Sequence, residues 1–398
     1  MKQSSLDPKS NRLGTGILDT IERALSSAGL SGPGGPAAGV ATTVRDALAS
    51  AGLMTSRDVT VTQIPNPAAA PGARGAELAG PDVTARSPGP AADAPPANRA
   101  RRPGRVVSHV FSNAAGSRMY RVYLPSGAAA ALRPVIVMLH GCTQSAEDFA
   151  AGTQMNHLAD LHGFIVVYPE QPPGANASKC WNWFSSENQQ RDRGEPSLIA
   201  GITREVIQRE GGDPRRVFVA GLSAGGAMAV IMAETYPDVY AAAGVHSGLP
   251  YASAHDVMSA LSVMHGGAGR AGSFVPASDA RAVPVIVFHG DSDPTVHPSN
   301  GLEIVARAGQ AHAAQTDAPL LRPVSSRGTS GGGRAYTRTV HAGDDGHAPI
   351  EAWTLHGAGH AWSGGDARGS HTDTSGPDAS AEMVRFFLSL PVDASPEA

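Results

Sequence analysis

Arg216-Val-Phe-Val-Ala-Gly-Leu-Ser-Ala-Gly-Gly226 decides how this chain is read. Arg216 to Ala220 is a short apolar run of strand type, and Ala227 to Thr235 has helical character. Between them Gly221-Leu-Ser-Ala-Gly225 joins strand directly to helix. A serine at the apex of so sharp a turn holds strained backbone angles, so its neighbours two residues away must be small. Gly221 and Gly225 meet that need, and Gly226 adds room. The helix N-terminus behind the serine favours negative charge beside it. A bare G-x-S-x-G is a weak signal. With the strand before it and the helix after it, Ser223 is a candidate nucleophile.

A serine hydroxyl at its free pKa is a poor nucleophile; it needs a base, and the base needs an orienting group. Both are available downstream, in the order acid then histidine. The apolar run Pro284–Phe288 leads into His289-Gly-Asp-Ser-Asp-Pro-Thr-Val296, where two carboxylates compete. Asp293, deeper in the loop and next to Pro294, is the expected orienting acid, and Asp291 the expected turn cap. The run Ile350–Leu355 leads into His356-Gly-Ala-Gly-His-Ala-Trp362. His360 lies in the loop beyond the strand end and is the expected base; His356 is still close to the strand. Acyl transfer also needs two backbone N–H groups aimed at the developing oxyanion. Ala224, just after the serine, is one expected donor. Cys142, in His140-Gly-Cys-Thr-Gln144 after the run Pro134–Leu139, is the other.

These runs, together with Phe164–Tyr168 and the alternating Tyr120, Val122 and Leu124, are separated by helical stretches. One is marked by Leu198, Ile199, Ile202 and Val206, another follows Pro298, and a last one runs through Ala381 to Leu388. Strands alternating with helices predict an α/β domain with a mainly parallel sheet covered on both faces, over residues 105–392. Residues 1–60 differ. Thr20-Ile-Glu-Arg-Ala-Leu-Ser-Ser-Ala-Gly-Leu30 is echoed by Thr43-Val-Arg-Asp-Ala-Leu-Ala-Ser-Ala-Gly-Leu53, which predicts two short amphipathic helices in a small repeat. Residues 61–104, rich in Ala, Pro and Gly, read as a disordered linker.

Composition narrows the function classes. The 398 residues carry a net charge of −4, so no global basic field attracts nucleic acid. Arg99, Arg101, Arg102 and Arg105 read as a solvated boundary rather than a binding patch. No apolar run approaches the roughly 18 residues of a membrane span, and Met1 to Leu13 has no signal-peptide core. The default expectation is a cytoplasmic protein. The two cysteines are then expected as free thiols. The histidines lack metal-ligand spacing, and no cofactor is expected.

The segments Leu139-His-Gly-Cys-Thr-Gln144, Tyr168-Pro-Glu170, Cys180-Trp-Asn-Trp-Phe184, Asp213 to Gly226, His289-Gly-Asp-Ser-Asp293 and Gly359-His-Ala-Trp-Ser-Gly-Gly365 together resemble the polyhydroxybutyrate (PHB) depolymerase-type esterases, a family that takes in feruloyl and acetylxylan esterases. The resemblance implies an α/β-hydrolase fold and supports Ser223, Asp293 and His360 as a triad with Cys142 at the oxyanion hole. It implies a serine esterase acting on short-chain hydroxyalkanoate esters, with carbohydrate or phenolic esters as the alternative and acyl-peptides as a weaker third. Because Cys142 and Cys180 both fall in family-like segments, a disulfide between them is also expected. It would pin the Trp181–Trp183 loop to the oxyanion loop. Trp181, Asn182, Trp183 and Trp362 become candidate substrate contacts. Secreted members carry a signal peptide and often a substrate-binding domain, so an extracellular location is the alternative. The helical repeat has no placed counterpart; a non-enzymatic role for it is docking on a polyester granule or a partner.

Overall fold

Apolar runs without polar alternation make stable strands only when both faces of their sheet are covered. In the computed structural model, which describes residues 103–127, 131–266, 281–315, 321–343 and 346–391, that condition is met. The expected repeat in residues 1–60, and the expected linker up to residue 102, lie outside the described residues. The chain runs β1 (Arg105–Asn113), β2 (Gly116–Leu124), β3 (Arg133–Leu139), α1 (Ala146–Thr153), α2 (Met155–His162), β4 (Ile165–Pro169), α3 (Gly194–Glu210), β5 (Gly212–Leu222), α4 (Ala224–Thr235) and β6 (Ala242–His246). It continues through α5 (Val257–Gly266), β7 (Val285–Gly290), α6 (Ser299–Gln315), β8 (Arg322–Thr329), β9 (Ala335–Ala342), β10 (Ile350–Leu355), the short pair β11 (Trp362–Ser363) and β12 (Thr372–Asp373), and α7 (Ala379–Ser389).

Ten strands form one sheet in the order β1-β2-β4-β3-β5-β6-β7-β10-β9-β8. From β4 to β10 the neighbours are parallel, and an antiparallel hairpin closes each edge. Alternate residues of β3 feed two separate cores. Val135, Val137 and Leu139 join Ile199, Ile202, Met228 and Ile304, from α3, α4 and α6. Ile136 and Met138 join Phe149, Met155, Met383 and Phe387, from α1, α2 and α7. The chain steps from β3 to β4 on one side and then to β5 on the other, so strand order reverses between β3 and β5. Loops leaving the carboxyl ends of strands at such a point form a natural crevice. The loops after β3 and β5 are those carrying Cys142 and Ser223. Among the described residues no helix is long and apolar enough to cross a membrane.

The structure also holds elements that the sequence reading did not place. Strand β6 is Ala-Ala-Gly-Val-His, too small and short to announce itself, yet every residue is buried. Its size is set by α7: a Cβ on Gly244 would lie 2.7 Å from Met383 Sδ and 3.1 Å from Phe387 Cζ. Strand β8 is exposed along nearly its whole length and has no hydrophobic period to read. In β1 the outward Val106 and Val110, 53% and 60% exposed, blur the alternation. Helices α1 and α2, of eight residues each, are shorter than the window a helical period needs.

Gly244→Leu overpacks the β6–α7 contact and is expected to lower unfolding free energy by about 3 kcal/mol, read as a drop in the urea midpoint. An unchanged midpoint contradicts the packing of α7 on β6.

Candidate active site

Ser223 sits at φ 57° and ψ −120°, between the last residue of β5 and the first of α4. Few non-glycine residues hold a positive φ, and they do so only where the surroundings enforce it. Enforcement here is backbone against backbone. A Cβ on Gly221 would run into the Gly225 carbonyl and lie 2.7 Å from Leu139 O. A Cβ on Gly225 would run into Leu139 O and lie 2.6 Å from His140 O. Two glycines therefore let the turn close against the end of β3. The serine is bonded at both ends of its backbone: its N–H donates to His246 O at 2.9 Å, and its carbonyl accepts from Ala227 N at 2.9 Å.

The loop after β7 presents Asp293. Its Oδ1 accepts from the amides of Thr295 and Val296, each at 2.9 Å. Its Oδ2 accepts from His360 Nδ1 at 2.7 Å. That bond fixes the histidine tautomer and leaves Nε2 free of the acid. The Asp293 side chain is fully shielded from solvent. Burial alone would push its carboxyl up; the hydrogen bond and charge of His360 and the two amides outweigh burial and hold it at about 2. His289 steadies the same loop, its Nε2 donating to Val296 O at 2.8 Å, and burial lowers its pKa. The two rejected residues find each other instead. Asp291 accepts from His356 Nδ1 at 2.9 Å and from Gly357 N at 2.7 Å, at a partly exposed position.

Ser223 and His360 line the same cavity, of about 200 Å³. Cys142 and Ala224 line it too, and among the described residues neither amide donates to a backbone acceptor. The loop carrying Cys142 is tied down on every side. A disulfide joins Cys142 to Cys180. Thr143, at φ 66°, donates its amide to Ser178 O at 2.6 Å. His140 donates from Nδ1 to Gly141 O at 2.8 Å and accepts from Gln171 N at Nε2. Beneath lies Glu195, which accepts from the Asn182 backbone and side-chain N–H groups, each at 2.7 Å, and from Gln171. Burial raises the Glu195 pKa against these bonds and the nearby Arg118. Sequence reasoning missed His140, Gln171 and Glu195. Glu195 is near the start of α3, remote from every motif, and carried no signal.

Of the four expected substrate contacts, the structure places Trp183 alone on the cavity wall. Trp181 is fully buried and donates from Nε1 to His140 O at 3.2 Å, so it pins the loop that carries Cys142 from behind. Asn182 spends its side chain on Asn176 and Glu195. Trp362, 1% exposed, donates to Ser380 Oγ and packs edge-on to Phe149. These three hold the site's scaffold and are withdrawn as substrate contacts. The rest of the wall is apolar beside α5 (Val257, Leu261, Met264) and polar at the rim (Thr143, His371). Among the described residues no group of three or more His, Cys, Asp or Glu side chains is arranged to hold a metal.

The Asp293 carboxyl, held near 2 against its ordinary 3.8, links stability to pH. A carboxyl whose pKa falls on folding contributes stability above its unfolded pKa. That contribution is lost as pH drops through the folded value. Wild type should therefore exceed Asp293→Asn by about 2 kcal/mol more at pH 7 than at pH 2, by urea unfolding. A gap that is the same at both pH values contradicts the assignment.

Comparison with known proteins places these features in a family. The profile described as Esterase PHB depolymerase matches residues 118–323, more than half of the 398-residue chain. Poly(3-hydroxyalkanoate) depolymerase C of Paucimonas lemoignei is 33% identical over 266 residues, 64% of this chain and 60% of that protein. Probable acetylxylan esterase A of Aspergillus fumigatus is 32% identical over 212 residues, 50% of this chain and 56% of that protein. The chain thus matches less than two thirds of the length of either relative. The solved acetyl xylan esterase from Aspergillus awamori superposes with a TM-score of 0.54 at 20% identity, covering 72% of this chain and 99% of that one. That likeness bears on the fold, which is of the α/β-hydrolase kind. By the profile match, the chain belongs to the PHB depolymerase esterase family.

Proposed function

We propose that residues 105–392 form a serine carboxylic ester hydrolase with Ser223 as nucleophile, His360 as base and Asp293 as orienting acid. The observation that carries this reading is the 2.7 Å bond from His360 Nδ1 to buried Asp293, with His360 and Ser223 facing one cavity. In the proposed reaction His360 Nε2 takes the Ser223 proton as Oγ bonds to the ester carbonyl carbon. Asp293 steadies the imidazolium. The Cys142 and Ala224 amides hold the oxyanion. The carbon–oxygen bond to the alcohol breaks, and His360 returns the proton to the leaving alkoxide. Water then repeats the sequence on the acyl-enzyme, releasing the acid and restoring Ser223.

The substrate we propose is a short-chain hydroxyalkanoate ester, oligomeric or polymeric. The apolar wall of Val257, Leu261 and Met264 suits a short acyl group, and the depolymerase of Paucimonas lemoignei supports the class. A second reading, an acetylated or feruloylated carbohydrate ester, is supported by the acetylxylan esterase relative and the polar rim at Thr143 and His371. The Cys142–Cys180 bond supports an oxidising compartment over the cytoplasmic expectation. For residues 1–60 we propose docking to a polyester granule.

The test is hydrolysis of short-chain p-nitrophenyl esters by wild type and Ser223→Ala, followed by a panel of 3-hydroxybutyrate oligomers, acetylated xylan and feruloyl esters. Wild type should turn over the chromogenic esters, and the variant should lose about 10⁴-fold or more. The oligomers should be the best substrates of the panel. An active Ser223→Ala, or a folded but inert wild type, overturns the triad reading; a preference for xylan esters overturns the substrate class. In the same series, a chain lacking residues 1–102 should keep its turnover and lose co-sedimentation with granules. Unchanged co-sedimentation removes the docking role.

A further inference from the structure

His246 ends β6 and is completely buried, although no step proposed above uses it. It contacts Ser223 itself, the strand that leads to Asp293 and the short strand that follows His360. Its carbonyl accepts the Ser223 N–H at 2.9 Å. Its Nε2 accepts the backbone N–H of Ser363 at 3.0 Å, three residues beyond His360. Its ring stacks with Phe288, from the strand that leads to Asp293, and with Trp362, with centroids 5.8 and 5.3 Å away and planes inclined by 11° and 28°. The adjacent Ser247 N–H donates to Phe288 O at 2.9 Å and repeats the tie to that strand.

A ring nitrogen that accepts a backbone N–H is unprotonated, so the proton sits on Nδ1, which faces Ser247 Oγ at 3.2 Å. The neutral ring is also what burial enforces, holding the group at about 3. A flat side chain able to stack with two aromatic rings and accept a hydrogen bond at its edge is a demanding specification. Phenylalanine supplies the stack without the acceptor; glutamine supplies an acceptor without the ring.

We infer that His246 is a positioning residue that sets where His360 stands relative to Ser223, by clamping the His360 loop to the end of β6 beside the nucleophile's turn. The inference rests on the proposed roles of Ser223 and His360. Small displacements of a base from its nucleophile slow proton transfer far more than they weaken binding. The clamp should therefore appear in kcat rather than in KM.

The experiment compares His246→Phe and His246→Gln with wild type in the full chain, using a p-nitrophenyl ester for turnover and amide hydrogen exchange across residues 360–365 as a readout independent of activity. In the Phe variant the Ser363 N–H loses its acceptor. Its kcat should fall by about tenfold to a hundredfold with KM within about twofold, and exchange across the loop should rise by at least about tenfold. The Gln variant, which offers an acceptor, should recover most of both. Wild-type kcat and wild-type exchange in a folded Phe variant overturn the clamp. So does equal loss in both variants that tracks their unfolded fraction, because that pattern marks a merely structural ring. If the wild type hydrolyses no ester, the esterase reading fails by itself, and the exchange data still decide whether His246 holds the loop.

Discussion

The site depends on one backbone constraint: Ser223 held at φ 57° and ψ −120° where β5 turns into α4. The strain is local, but what sustains it is not. The end of β3 presses against Gly221 and Gly225, β6 accepts the serine's N–H, and α4 packs behind. Any side chain at either glycine would push β3 and β5 apart, and with them the loop that carries Cys142. The proposed nucleophile and the proposed oxyanion donors are thus positioned by the same close approach of two strands, at the place where the strand order reverses.

Electrostatics then separates the two acid–histidine pairs. Asp293 and Asp291 stand two residues apart, and each hydrogen-bonds a histidine of the loop after β10. Asp293 is fully shielded, receives two amides and keeps its charge near pH 2; its histidine lines the cavity. Asp291 lies partly in solvent, where an ion pair contributes little. Exposure, not sequence spacing, distinguishes the pair suited to catalysis from the pair that braces a loop.

How much of this was legible in the sequence follows from the length of each signal. The buried parallel strands could be read because a continuous apolar run has few other meanings, and β10 was expected with the bounds it has. The serine turn could be read because its glycines are forced. Strand β6 could not, because it is short and its central Gly244 answers to α7, more than 130 residues away in the chain. Trp181 and Trp362 were drawn toward the substrate by their neighbours in sequence. Each turned its indole N–H to a buried acceptor behind the site, and burial is a property of the fold that a motif does not carry. His246 and Glu195 were silent for the same reason: the partners of each come from three separate segments.

The central claim is that Ser223 is an activated nucleophile facing this cavity. Its most direct test is labelling of the folded full chain with an alkyl fluorophosphonate, with the modified residue located by peptide mass spectrometry. The account predicts one label per chain, on Ser223, abolished in Ser223→Ala and slowed by several orders of magnitude in His360→Ala. A folded chain that takes up no label, or takes it up on another residue, contradicts the account.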